Sequence, residues 1–229
     1  MEQLSLPCEG RRDSAWLLAL EFAIVAALFI ADFKHHIFFS KVPWLFLLAW
    51  ISLRWRGLGW RAVGLAQPVN WRRTIVIGVL GGLGIELLEL FITQPLLVKL
   101  FHKVPDFSEL DGLQGNWKML LLGLALTWTL AAFGEEMVYR GYLMNRVAGL
   151  FRSPKIAWVI SLIVVNFVFG LGHIDQGVTG QVENMIDGLL LGVIFLATGQ
   201  NLWAVIIAHG LTDTLDLVLL YLGRYPMPK

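Results

Sequence analysis

The sequence contains little charge and almost no cysteine. Aspartate, glutamate, lysine and arginine account for 15% of the 229 residues, and Cys8 is the only cysteine. One cysteine forms no internal disulfide, and it excludes a metal site built from several thiolates. Three protease signatures are also missing: GxSxG of serine hydrolases, HExxH of zinc proteases and GxGD of two-aspartate proteases. These absences argue against a serine nucleophile and against a preformed helical pair of zinc ligands.

More than half of the residues in the sequence are hydrophobic. They make up 57% of the chain, and the mean hydropathy is +0.67, whereas soluble domains are about 45–50% apolar. The composition therefore indicates a polytopic membrane protein. Seven windows approach the roughly 20 apolar residues needed to cross a bilayer core. They are Ala15–Phe33, Val42–Leu53, Thr74–Phe101, Trp117–Phe133, Ile156–Leu171, Met185–Thr198 and Leu202–Leu222.

We predict an all-α, polytopic transmembrane bundle of about seven to eight helices that encloses an intramembrane polar cavity. Eight helices would result if the long third window is split near Pro95. The loops are short, so residues 1–229 are predicted to form a single integral membrane domain.

Basic residues indicate the orientation. Arg11 and Arg12 precede the first window, which is not followed by a small-residue cleavage site and is predicted to be retained. The loop 54–73 is rich in arginine, and the positive-inside rule assigns it to the cytoplasm together with the N-terminus. The acidic segment 104–112 is then external. The compact chain favours a bacterial inner (plasma) membrane. The arginines of the basic loop are Arg54, Arg56, Arg61, Arg72 and Arg73.

Polar side chains at membrane depth are functional candidates, because each is costly in lipid. Glu136 and Arg140 stand four residues apart on one helical face and are predicted to form an ion pair. Glu135 lies about 100° further round the helix, without a local partner of opposite charge. Glu135 is therefore the carboxylate available for chemistry. Other candidates at depth are Glu21, Glu86, Glu89, Asn166, Asp187 and Asp216.

Two histidines lie in apolar surroundings. The spacing of Asn166, Phe169 and His173 predicts one face of a helix. His209 is followed one turn later, on the same side, by Asp213. The pair of histidines beside a surplus carboxylate favours a catalytic role over simple helix-to-helix hydrogen bonding.

Residue counting gives the depth of these groups. If the fourth helix turns near Ser153, Glu135 lies about 27 Å before the turn and His173 about 30 Å after it. An antiparallel hairpin would bring the two to a similar height. His209 follows a short connection at 199–201. We therefore expect the three groups to converge in one cavity that is reached from the cytoplasmic half of the membrane.

A carboxylate and two imidazoles in a water-poor cavity are suited to amide hydrolysis by activated water. Glu135 would act as the general base, and His209 with Asp213 would stabilise the developing oxyanion. A pair of aspartates, Asp187 and Asp213, offers a weaker alternative.

Three ordered motifs resemble those of one known family. EEMVYR at 135–140 matches EExxxR, FGLGH at 169–173 matches FxxxH, and HGLTD at 209–213 matches HxxxN/D. These motifs are characteristic of the CPBP family, the CAAX-protease and bacteriocin-processing membrane proteins also called Abi. The resemblance covers a motif-bearing core at about 117–222.

The resemblance implies a glutamate-dependent intramembrane endopeptidase that acts on membrane-associated peptides or proteins. Glu135 and His173 would activate water, and His209 with Asp213 would form the oxyanion site. Eukaryotic relatives carry asparagine at the position of Asp213. An ionised aspartate cannot donate to an oxyanion, so Asp213 must be protonated, orient His209 or bind a cation. The residues that would support the site are Glu136, Arg140 and Phe169.

Several alternatives stay open. We expect no cofactor, but His173, His209, Glu135 and Asp213 form an alternative set of zinc ligands. A non-proteolytic membrane scaffold or a bacteriocin self-immunity protein of the same family is the second functional hypothesis. A transporter with a proton relay through buried acids of the third window, Glu86 and Glu89, is the third. The expected partners are the lipid bilayer and a membrane-associated peptide or protein, not nucleic acid.

Overall fold

The fold is a bundle of helices. A computed structural model describes residues 15–37 and 40–226, where all regular structure is helical. Cys8, Arg11 and Arg12 lie outside the described residues. Short 3₁₀ turns occupy Trp60–Val63, Ser108–Leu110 and Ile174–Gln176. The main helices of the described part are α1 Ala15–Phe33, α2 Val42–Trp55, α3 Trp71–Phe101, α4 Trp117–Ala148, α5 Pro154–Leu171, α6 Gly177–Ala197 and α7 Leu202–Tyr221.

The prediction of an all-α transmembrane bundle is confirmed. Six of the described helices are long and apolar enough to cross a membrane, and α2 is a shorter apolar helix of 14 residues. Their outer faces expose large apolar side chains such as Leu80, Phe91 and Phe167. Lipid covers such side chains in a bilayer, where helices satisfy their own backbone hydrogen bonds. The chain is an integral membrane protein.

The alternative with eight helices is wrong. The third window forms one continuous span, Trp71–Phe101. Proline lacks the backbone N–H and crowds the carbonyl four residues earlier, but Pro95 directly follows a π-helical segment, Glu89–Thr93. The wider π-helical turn accommodates the proline, so the helix does not break there.

Glycines bring α3 and α7 into close contact. A Cβ atom added to Gly82 would lie 2.5 Å from the carbonyl oxygen of Ala208, and one added to Gly78 would lie 2.7 Å from Cβ of Ile207. Small residues let membrane helices approach to this distance. The contact fixes α7, which carries His209, against the middle of the bundle.

The basic loop marks one end of the bundle. It packs on the turn between α6 and α7, where the N–H of Leu202 donates to the carbonyl of Gly64 at 3.1 Å. At the same end, Glu21 of α1 pairs with Arg56 at 2.6 Å and with Arg146 of α4 at 3.1 Å. Glu21 therefore joins three parts of the bundle through arginines, and its position at depth has a structural explanation.

The opposite end carries the remaining connections. The N–H of Asp106 donates to the carbonyl of Gln176 at 3.1 Å, and the hydroxyl of Thr179 donates to the carbonyl of Lys103 at 2.7 Å. Lys41, just before α2, reaches the carbonyl of Gly172 at 2.9 Å. The connections that precede α2, α4 and α6 are thus held together at this end.

Candidate active site

One cavity brings the sequence-predicted site residues together. It has a volume of about 500 Å³ and lies among α3, α4, α6 and α7. Glu135, His173, His209 and Asp213 all line it, although they come from three separate regions of the chain. The supporting residue Phe169 lines it as well.

The motif of α4 lies on unusual backbone. The segments Thr127–Glu135 and Met137–Leu143 are π-helical, a conformation that is rare and often occurs at functional sites. On this backbone Glu135 faces the cavity. Its neighbours Glu136 and Arg140 are fully buried, each at 0% exposure. Of the two adjacent carboxylates, that of Glu135 therefore faces the cavity and that of Glu136 lies in the protein interior.

Glu135 is half-buried and has no hydrogen-bond or ion-pair partner among the described residues. The positive groups that act on it electrostatically include His209 and Lys41. The expectation from the sequence, that Glu135 lacks a partner of opposite charge on its own helix, agrees with this arrangement. A carboxylate without a partner in a polar cavity is free to accept a proton from water.

His173 is held by the backbone of α5. The helix ends at Leu171, and His173 lies in the following turn, so the prediction that it continues the helical face of Asn166 is wrong. Its Nδ1 atom lies 2.9 Å from the carbonyl oxygen of Phe169. A carbonyl only accepts hydrogen bonds, so Nδ1 carries the proton and Nε2 is the atom with a free lone pair in the neutral ring. The ring also packs on Phe169, with centroids 4.8 Å apart.

His209 stands between two carboxylates. Its Nδ1 atom lies 2.7 Å from Oε1 of Glu136, and its Nε2 atom lies 3.5 Å from Oδ1 of Asp213. The sequence predicted the neighbour one turn away but not the contact with Glu136, which is 73 residues distant. Because carboxylates accept hydrogen bonds, this arrangement suits an imidazole that carries protons on both nitrogens.

Arg140 is the centre of a buried network. It donates to Oε1 of Glu136 at 2.7 Å, as the spacing predicted, and to Oδ1 of Asn166 at 3.0 Å. It also donates to the carbonyl of Gly188 at 2.9 Å and lies 4.6 Å from the centroid of the Phe169 ring. This arginine therefore links α4, α5 and α6 beneath the cavity.

Access to the cavity differs from the sequence-based expectation. Its rim contains exposed residues of the end opposite the basic loop, among them His35, Asp106 and Asp175. The cavity therefore opens at the end opposite the basic loop, whereas the sequence-based expectation placed its entry in the half that holds this loop. The eighteen residues of α5 carry the chain about 27 Å away from the turn at Ser153, and His173 follows the far end of that helix.

The residues of the alternative zinc site do not form a compact set of ligands. Among the described residues, the one group of three or more His, Cys, Asp or Glu ligand atoms within 4.8 Å of one another belongs to Glu86, Glu89 and Asp216. His173, His209, Glu135 and Asp213 share the cavity, but no three of their ligand atoms lie within 4.8 Å of one another.

Sequence reasoning missed Lys41. Its ammonium group donates to Asp32 at 2.7 Å and to the carbonyl of Gly172 at 2.9 Å, next to His173. The side chain is buried, at 8% exposure. In the sequence, Lys41 is a single lysine just before an apolar window. It therefore looks like an ordinary residue at the end of a membrane span.

Comparison with known proteins finds a family match in the region that carries the three motifs. Residues 117–215 match the family model described as Type II CAAX prenyl endopeptidase Rce1-like. No curated protein and no solved structure matches the chain. The match contains all three motifs and supports, at the level of the family, a CAAX-protease-type intramembrane peptidase. The resemblance predicted from the motifs is thus confirmed: residues 117–215, which hold Glu135, His173, His209 and Asp213, are similar to the Rce1-like CAAX endopeptidases.

Proposed function

We propose that this protein is an intramembrane endopeptidase that hydrolyses peptide bonds of membrane-associated peptides or proteins with a water molecule activated by Glu135. The observation that carries the proposal is the convergence of Glu135, His173, His209 and Asp213 on one cavity of about 500 Å³. The family match of residues 117–215 supports the reaction class.

Glu135 is the general base. Its carboxylate takes a proton from water while the water oxygen attacks the peptide carbonyl carbon. His173 presents Nε2 to the same water, because Nδ1 is engaged by the Phe169 carbonyl at 2.9 Å. The electron pair of the carbonyl bond moves to the oxygen. Glu135 then returns the proton to the leaving nitrogen as the carbon–nitrogen bond breaks.

His209 stabilises the oxyanion. Glu136 accepts from Nδ1 at 2.7 Å, which fixes the ring and directs Nε2 towards the cavity side where Asp213 lies. The Nε2–H group donates to the carbonyl oxygen as its negative charge develops. Asp213, with its Oδ1 atom 3.5 Å from Nε2, pairs electrostatically with the same ring in the absence of substrate and helps to orient it. This assignment needs neither a donor hydroxyl on Asp213 nor a metal ion.

The proposal is tested by comparing the peptides of cells that express the wild type, Glu135→Gln or Asp111→Asn. Glu135→Gln removes the base and preserves the shape of the side chain. Asp111→Asn makes the same chemical change on an exposed loop residue outside the cavity. We expect new peptide termini with the wild type and with Asp111→Asn, and their loss with Glu135→Gln at equal protein level in the membrane.

Purified protein in lipid discs separates direct cleavage from secondary effects. Peptides spanning the termini found in cells are incubated with each variant, and the products are identified by mass spectrometry. Cleavage by the wild type that falls about 10²–10⁴-fold in Glu135→Gln supports the general base. Equal activity of both variants, or an identical set of cellular peptides in all three strains, contradicts the proposal and favours a scaffold or immunity role.

A further inference from the structure

A second cluster of acids lies beside the proposed catalytic groups. Glu86 and Glu89 of α3 meet Asp216 of α7, with one carboxylate oxygen from each within 4.8 Å of the others. Glu89 and Asp216 line the same cavity as Glu135. The proposed water activation uses none of these three carboxylates.

The cluster has no cationic partner. Neither Glu86, Glu89 nor Asp216 forms a salt bridge with a described residue. Two more acids, Glu183 and Asp187, act electrostatically on the same group. Carboxylates that crowd together in a low-dielectric interior repel one another unless a positive charge or a proton lies between them.

Glu86 gives a second, separate indication of a ligand. The residue is buried, with only 3% of its surface exposed. Neither of its carboxylate oxygens has a hydrogen-bond partner among the described residues. One oxygen points to within 4.8 Å of Glu89 and Asp216. A buried carboxylate with two unsatisfied oxygens aimed at two other carboxylates is unusual unless something binds there.

The backbone of α3 also departs from regular α-helical geometry at this position. Glu89 begins the π-helical segment Glu89–Thr93, and π-helical turns often mark functional sites. The N–H of Gln94 donates to the carbonyl of Glu89 across this turn. The amide of Gln94 in turn donates to the hydroxyl of Tyr225 at 2.7 Å, which holds the chain after α7 against α3.

We propose that Glu86, Glu89 and Asp216 form a binding site for a divalent cation that prefers oxygen ligands, with calcium as the best fit. The set offers carboxylate oxygens alone, without the nitrogen or sulfur ligands that zinc favours. Because the three oxygens all lie within 4.8 Å of one another, one ion with bonds of about 2.3–2.6 Å can contact all of them. Calcium accepts several carboxylate ligands in a flexible geometry, whereas magnesium usually keeps several waters and is bound by one or two carboxylates.

The bound cation would connect α3 to α7 next to Asp213, which already acts electrostatically on Glu86 and Asp216. It would therefore hold the wall of the cavity together and offset the negative charge beside His209. This site is distinct from the zinc site considered for the histidines, and it does not rest on the proposed peptidase activity.

The test measures ion binding without a substrate. The full chain is purified in discs of zwitterionic lipid, treated with chelator and exchanged into metal-free buffer. Calcium, magnesium and zinc are then added separately, and binding is followed by calorimetry and by thermal unfolding. We expect one calcium ion per chain and a rise in melting temperature of roughly 5 °C or more at a hundredfold excess over Kd.

Variants locate the site. Glu86→Gln removes charge without removing a hydrogen bond seen in the structure, and Asp216→Asn changes the opposite helix. Each is expected to weaken calcium binding more than about tenfold. Glu109→Gln is the control, since Glu109 is an exposed acid on the rim of the same cavity, and it should bind like the wild type. Glu135→Gln should also retain the ion, so a failed peptidase assay does not affect this result.

Three outcomes overturn the proposal. The first is wild-type protein that binds none of the added ions. The second is calcium binding that is equal in Glu86→Gln, Asp216→Asn and the wild type. The third is calcium binding that Glu109→Gln weakens as much as Glu86→Gln does, because the ion would then not bind specifically at the cluster.

Discussion

The Nδ1 atom of His209 lies 2.7 Å from Oε1 of Glu136, an oxygen that also accepts a hydrogen bond from Arg140 at 2.7 Å. The second glutamate of the EEMVYR motif thus fixes both the arginine of that motif and the histidine of α7. Its adjacent residue, Glu135, faces the cavity without such partners. The two glutamates therefore have different roles, which single substitutions can separate.

Glu136→Gln is expected to lower both stability and activity. The change leaves Arg140 buried without its charged partner, and breaking a buried pair costs about 3–5 kcal/mol. It also weakens the hydrogen bond that orients His209, so kcat should fall in the fraction that stays folded. Thermal unfolding and activity per folded molecule measure the two effects. Glu135→Gln is the matched neighbour and should unfold like the wild type; equal unfolding of Glu136→Gln would refute the structural role.

Lys41→Met is expected to reduce activity through His173. The lysine holds the carbonyl of Gly172 and pairs with Asp32, so its loss frees the turn that carries the histidine. A displacement of about 1 Å at a catalytic group can cost about 10²-fold in rate. We expect kcat to fall while KM changes little.

The control for Lys41 is Lys34→Met, which alters an exposed lysine of the same connection. That variant should keep wild-type kinetics. A fall in folded yield for Lys41→Met, with unchanged kcat in the remaining protein, would mean that Lys41 contributes only to folding.

Gly82→Ala is expected to destabilise the contact between α3 and α7. The added Cβ would lie 2.5 Å from the backbone oxygen of Ala208, and this kind of overpacking typically costs about 1–3 kcal/mol. Gly84→Ala is the control, because a Cβ at Gly84 has no atom within 4 Å and alanine favours helix by about 1 kcal/mol. Chemical unfolding in lipid discs compares the two variants. Equal stability would show that the helices separate readily at Gly82.

Cysteine labelling can test the orientation of the protein in the membrane. Cys8 is first replaced by serine, and single cysteines are placed at exposed positions Gly59, Ser153 or Asp111. The arginines of the basic loop predict that a membrane-impermeant reagent added outside reaches position 111 but not positions 59 and 153. That pattern would also put the open end of the cavity outside, since its rim includes Asp106 and Asp175. External labelling at position 59 would reverse the assignment.

Zinc-selective chelation is expected to leave cleavage intact. The proposed reaction uses Glu135, His173 and His209 through hydrogen bonds, and phenanthroline strips zinc without competing strongly for calcium. Elemental analysis of protein purified without added metal should find well below one zinc ion per chain. Stoichiometric zinc, with activity lost on chelation and restored by zinc alone, would show that Glu135 acts beside a metal-bound water.

The amino-acid sequence by itself determined the class of fold and singled out the candidate site residues. Long apolar windows define spans because lipid cannot satisfy a non-helical backbone, and the windows from Ala15 to Leu222 correspond to the observed helices. The pairing of Glu136 with Arg140 followed from helical spacing. Glu135, His173 and His209 stood out because ionisable groups are rare at membrane depth. These inferences depend on local geometry, which sequence spacing encodes.

The tertiary structure alone decided how the groups meet. The contact between Glu136 and His209 joins residues on different helices, and no sequence period specifies such a pair. Lys41 donates to the carbonyl of Gly172 in the turn next to His173. His173 itself lies on this turn because the helix ends at Leu171. The side on which the cavity opens depends on which connections gather at each end of the bundle. Packing of whole helices sets these relationships, because a side chain's partner across the bundle depends on the rotation and depth of both helices.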